Sequence, residues 1–259
     1  MNREPAVAGS FYPANAVTLR HMLSDFLDLA DSDTRPPKAI IVPHAGYIYS
    51  GPIAASAYAR LKSVRDSISR VVLIGPSHRV AFQGLAVSNA DTFTTPLGSI
   101  PIDKAAIQQL QNLPFVGYLE QAHALEHSLE VHLPFLQQSL ADFKLVPIVA
   151  GDASPDQVSQ VIDTLWGGNE TLIVISSDLS HYHDYSTAQR LDRHTSDLIE
   201  QLNYQNLSSE AACGKVPVSG LLKSLQEKSL SIKTIDLRNS GDTAGDKTRV
   251  VGYGAYVVE

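Results

Sequence analysis

An α/β fold, with one central, largely parallel sheet flanked by helices, is what this 259-residue sequence predicts. Three observations point there. Short apolar, β-branched runs alternate with longer amphipathic stretches, a pattern that calls for crossover connections between parallel strands. Three of those runs, at 39–42, 71–74 and 172–175, are followed within a few residues by His44, His78 and His181. No internal repeat, low-complexity tract or proline-rich linker divides the chain, so residues 1–259 read as one domain around one core.

The elements follow in order. Apolar spacing predicts a helix over 16–30, then a strand at 38–42. Ser50 and Gly51 precede Pro52, a residue suited to a first helical turn, so a helix is expected over 52–61. A strand at 70–74 completes one βαβ unit. Residues 85–102 are expected to form a hairpin or an irregular excursion. Helices at 103–111 and 126–140, a strand at 144–149, a helix at 155–165, a strand at 171–176, and helices at 186–202 and 217–228 come next. Two further strands, 231–237 and 249–258, flank a polar glycine-bearing loop and are expected to pair antiparallel at a sheet edge.

Composition narrows the class. Hydrophobic residues at 44% and charged residues at 18% are ordinary for a soluble globular protein and argue against disorder or a fibrous architecture. A net charge of −7, with no lysine or arginine cluster, argues against nucleic acid as a partner, because phosphate neutralisation needs a basic patch. A single cysteine, Cys213, forbids an intrachain disulfide and makes the cytoplasm the expected compartment. The apolar runs are strand-sized, so neither secretion nor membrane insertion is expected.

Open α/β sheets place ligands outside the carboxyl ends of their strands, and the chemistry-bearing residues gather at those positions. His44 follows Val42-Pro43, where proline stops the pairing and Gly46 permits a sharp turn; His78 follows Gly75-Pro-Ser in the same manner. One helix between their strands predicts neighbouring strands, with both imidazoles at one edge as a pair of metal ligands. After the third run come Asp178, His181 and His183. Asp178 is expected either to cap a helix or to orient an imidazole, and His181 to act as acid, base or ligand. In the stretch 125–134, His127 and His132 lie five residues apart, so on one helix they diverge by roughly 140°, while Glu126 and Glu130 share a face. Glu126, His127 and Glu130 are therefore candidates to support the site from behind its ligands. Cys213 stands at a helix entrance, where the dipole favours a thiolate; the alternative is a small buried apolar side chain. His21, His123 and His194 are expected to be exposed or structural. No nucleophile elbow or phosphate-loop spacing is present.

Six ordered motifs run along the chain: Ala8-Gly-Ser-Phe-Tyr12, Pro43-His-Ala-Gly-Tyr47, Gly75-Pro-Ser-His78, Glu126-His-Ser-Leu-Glu-Val-His-Leu-Pro134, Ser176-Ser-Asp-Leu-Ser-His181 and Cys213-Gly-x-x-Pro217. Together they resemble the Memo family, including its bacterial and archaeal members called AmmeMemoRadiSam system protein B. That family is structurally similar to the class III extradiol dioxygenases, non-haem iron enzymes that open catechol rings. The resemblance implies His44, His78 and Cys213 as metal ligands, His181 as the acid/base group, and Asp178 beside it. Cys213 stands where those dioxygenases have a carboxylate. A thiolate is softer and donates more charge, which shifts the metal's potential and admits copper or zinc as competitors to Fe(II).

The expectation is thus a non-haem iron, oxygen-linked redox enzyme acting on a small molecule that these residues do not name. The alternative is a non-catalytic adaptor that uses the same pocket to recognise a peptide or protein. The family's system name further implies radical-SAM and AMMECR-type protein partners.

Overall fold

The computed structural model describes residues 1–31 and 35–258. The first half runs β1 (Asn2–Arg3), α1 (Ala16–Leu29), β2 (Ala39–Val42), α2 (Tyr47–Tyr58), β3 (Arg70–Pro76), β4 (Leu85–Val87), β5 (Thr92–Thr95), β6 (Gly98–Pro101) and α3 (Lys104–Leu110). Then come β7 (Val116–Tyr118), α4 (Glu120–Ala124), α5 (His127–Glu130), α6 (Leu133–Ser139), β8 (Lys144–Ala150), α7 (Pro155–Thr164) and β9 (Thr171–Ser176). The chain closes with β10 (His181–His183), α8 (Tyr185–Glu200), α9 (Lys215–Lys228), β11 (Ile232–Asn239) and β12 (Val250–Val258).

Among the described residues, nine strands form the main sheet in the order β10-β12-β2-β9-β3-β8-β4-β7, with β11 also on β12. Its centre is parallel: β2 with β9, β9 with β3, and β3 with β8. Its flanks are mixed, since β12 runs antiparallel to β2 and β4 antiparallel to β8. Every residue of β2 and β9 is buried, as expected of central parallel strands covered on both faces. Helix α9 packs on β3 and β9 and against α7, while α2 packs on β2 and β12 and against α1. Most of the buried apolar side chains among the described residues form one cluster.

Three expectations need correction. The strands bearing His44 and His78 are not neighbours, because β9 lies between them and pairs with both. The crossover through α2 skips one place, so the end of β9 sits between the two histidines. The helix expected over 126–140 is two short helices, α5 and α6. Pro134 explains the break. In a continuous helix its ring would meet the carbonyl of Glu130 and its missing N–H would leave that bond unmade, whereas at the start of α6 neither matters. Pro52 does lie inside a helix, but α2 begins five residues earlier, at Tyr47, with Gly46 at its N-terminal cap. The excursion over 85–102 contains the β5–β6 hairpin, and β11 and β12 pair antiparallel as expected.

Candidate metal centre

The carboxyl ends of β2, β9 and β3 converge with two loops. Pro43 ends β2, and the next residue, His44, donates its backbone N–H to Asp178 Oδ1 at 2.7 Å. His78 follows β3, which ends at Pro76. The loop entering α9 brings Cys213 against the end of β9. That approach requires glycine at 214, where a Cβ would stand 2.4 Å from the Ser176 carbonyl oxygen. Asp178 in turn donates its backbone N–H to Cys213 Sγ at 3.3 Å.

These connections bring His44, His78 and Cys213 together. One ligand atom from each lies within 4.8 Å of the other two, and Sγ is 3.4 Å from His44 Nε2. Glu126 caps α5 through His127 and Ser128, and it also accepts from the backbone and ring of His78, at 2.6 Å and 2.9 Å. Burial raises this carboxyl's pKa, but the His78 and Ser128 hydrogen bonds outweigh burial and hold it at about 2. An ionised carboxylate only accepts, so His78 Nδ1 carries a proton and its Nε2 is the ring atom left to ligate. The His127 ring stacks on His78, with centroids 4.6 Å apart, and stands edge-on to His44. Its Nδ1 is buried without a hydrogen bond among the described residues.

Burial, with His78 nearby, holds His44 well below the usual histidine range, so its ring is neutral. Burial likewise raises the pKa of Asp178. Cys213 reverses an expectation. Burial, reinforced by the Asp178 carboxyl, pushes the thiol up to about 12, overriding any preference from the helix entrance for thiolate. Metal uptake at this sulfur would therefore displace a proton. Two imidazole nitrogens and a displaceable thiol proton within one small volume suit a borderline or soft transition metal.

A cavity of about 570 Å³ opens beside this group, bounded by Phe11, His44, Tyr49, Asp178, His181 and Tyr253. His181 thus faces the same space as His44. Asp178, however, neither caps a helix nor hydrogen-bonds His181; its carboxylate is on the backbone of His44. The turn before His181 is held instead by Asp192, buried on α8, which accepts from the Ser180 backbone at 3.0 Å. Glu130, expected beside the site, turns away from it. It ion-pairs with buried Arg3 and accepts from the backbone of Ala6 and Val7 and from the Tyr12 hydroxyl. His123 is buried and donates from Nε2 to the Ala86 carbonyl, a structural role.

Sequence reasoning missed Ser176 and His132. Ser176 Oγ lies 2.6 Å from His44 Nδ1 and 2.9 Å from His132 Nε2, directly behind the ligand group. His132 was discounted because one continuous helix would turn it from His127. The break at Pro134, legible as a helix start, was the signal against that geometry.

Fold and site together define a mixed α/β protein in which two histidines after central strands and a cysteine from the loop entering α9 meet in a group that could hold a metal ion. A family profile described as "Memo-like protein" matches residues 3–257. The chain belongs to the Memo family. It is 36% identical to a MEMO1 family protein of Aquifex aeolicus, over 97% of each chain. It is equally similar, at 36%, to one from Sulfolobus acidocaldarius over 98% of each. Among solved structures it is similar in fold to the uncharacterized protein JW3007 of Escherichia coli K12. That match has a TM-score of 0.52 and 13% identity, covering 86% of this chain and all of the other. Among the described residues, no helix is long and apolar enough to cross a membrane.

Proposed function

We propose that the protein is a metal-dependent, oxygen-linked redox enzyme of the non-haem iron type, with His44, His78 and Cys213 as ligands. The observation that carries this reading is the convergence of His44 Nε2, His78 and Cys213 Sγ beside an open cavity. Bound there, iron would supply Lewis acidity and one-electron redox chemistry, and copper or zinc would suit the same donors. Three protein ligands leave room for a substrate to approach from the cavity. Glu126 fixes the His78 ring and its tautomer, as a carboxylate behind a ligand commonly does. Asp178 ties the His44 turn to the Cys213 loop through its side chain and its backbone. His181, half-buried on the cavity wall, is the group placed to move a proton to or from a substrate.

Oxygen uptake tests this reading. Protein loaded with Fe(II) should consume oxygen with a catechol or small reductant present, and His181→Ala should slow turnover by about 10²-fold or more while retaining metal. Loaded protein that consumes no oxygen beyond the free metal, yet binds a peptide or protein equally well without metal, would replace the enzyme reading with the adaptor reading.

A further inference from the structure

His132 is fully buried, titratable and unused by the proposed chemistry, yet a chain of hydrogen bonds joins it to a ligand. Ser176 Oγ makes three contacts: Ser128 O at 2.6 Å, His44 Nδ1 at 2.6 Å and His132 Nε2 at 2.9 Å. Behind His132, the buried Tyr58 hydroxyl lies 3.1 Å from Nδ1.

The donors and acceptors can be counted. A carbonyl oxygen only accepts, so the single Ser176 hydroxyl proton goes to Ser128. The two remaining lone pairs of Oγ then accept, and both ring nitrogens must donate. His44 therefore carries its proton on Nδ1, which leaves Nε2 bare and facing Cys213 Sγ. His132, protonated on Nε2, presents a bare Nδ1 that accepts from Tyr58. All four groups are buried, so no water is needed to complete the set, and any other arrangement of neutral rings leaves a buried partner unmatched.

We propose that Ser176, locked by His132 and Tyr58, is a positioning residue that fixes His44 in the one tautomer able to ligate a metal through Nε2. The inference rests on the metal-site reading, but the tautomer itself is a property of the metal-free chain. Ser176→Ala removes the acceptor. His132→Leu removes one of the two ring donors to Ser176 Oγ and leaves the Ser128 carbonyl alone to hold the hydroxyl proton away from His44. His132→Gln keeps an N–H at nearly the same place and serves as the conservative control.

The test is nitrogen-15 NMR of the imidazoles in metal-free protein, paired with Zn(II) affinity measured by competition with a chelator. Wild type should show His44 with Nδ1 protonated and Nε2 bare, and His132 with the opposite pattern. Ser176→Ala and His132→Leu should show His44 in mixed tautomers and bind Zn(II) about 10- to 100-fold more weakly; His132→Gln should stay close to wild type in both. A wild-type His44 protonated on Nε2 would overturn the proposal, as would both Ser176→Ala and His132→Leu keeping wild-type spectra and affinity. If wild type binds no Zn(II), the metal reading falls, while the spectra still decide the tautomer.

Discussion

At Cys213 two physical effects compete, and burial outweighs the helix entrance. A thiol at about 12 is no free nucleophile at neutral pH, so its chemistry begins only when something displaces its proton. Burial also acts on His123, lowering its pKa from 6.5 to about 4. Its folded pKa lies below its unfolded one, so the unfolded chain takes up the proton first as pH falls. The stabilisation is complete above pH 6.5 and is lost as pH falls toward 4, about 3 kcal/mol across that window. His123→Gln should therefore flatten the dependence of urea midpoints on pH over this range; an unchanged slope would refute the assignment. His123 and His132 carry the same residue type as the ligands, and nothing local in the sequence separates them. Only the burial and the partners that the fold supplies do so.

At the scale of elements, strands and helices were largely legible because β2, β3, β8 and β9 are continuous apolar runs and the helices carry start signals. One example is the Ser154 capping box at α7. The stretch before β8 was misread because apolar spacing continues across a proline that restarts the helix. That break has consequences. It leaves Glu130 at the end of α5, where its carboxylate gathers the first twelve residues through Arg3, Ala6, Val7 and Tyr12. Phe11, carried by that segment, lines the cavity and packs on His127 at 4.8 Å. Glu130→Ala leaves the Arg3 guanidinium buried without its partner and should cost about 3–5 kcal/mol in urea unfolding. It should also loosen the cavity wall at Phe11. A loss under 1 kcal/mol would mean that the ion pair does not hold this segment.

At the scale of the whole molecule, the convergence of histidines on one sheet edge was legible from the repeated strand-then-histidine order, but the strand order was not. Pairing β9 between β2 and β3 joins residues more than a hundred positions apart, and local pattern carries no record of that choice. The choice matters, because it sets Ser176 between the two histidine-bearing strands and makes the end of β9 the hub of the site. Cys213 arrives from a loop near residue 213, and its place beside His44 followed from the family resemblance rather than from spacing. If His44, His78 and Cys213 hold one metal ion, as proposed, metal content depends on each of them. Elemental analysis of protein purified anaerobically and supplied with Fe(II) tests it most directly, comparing wild type with His44→Ala and Cys213→Ser. Near-stoichiometric iron is expected in wild type and its loss in both folded variants; wild type without metal, or variants that keep a full complement, would rule these residues out as the ligands.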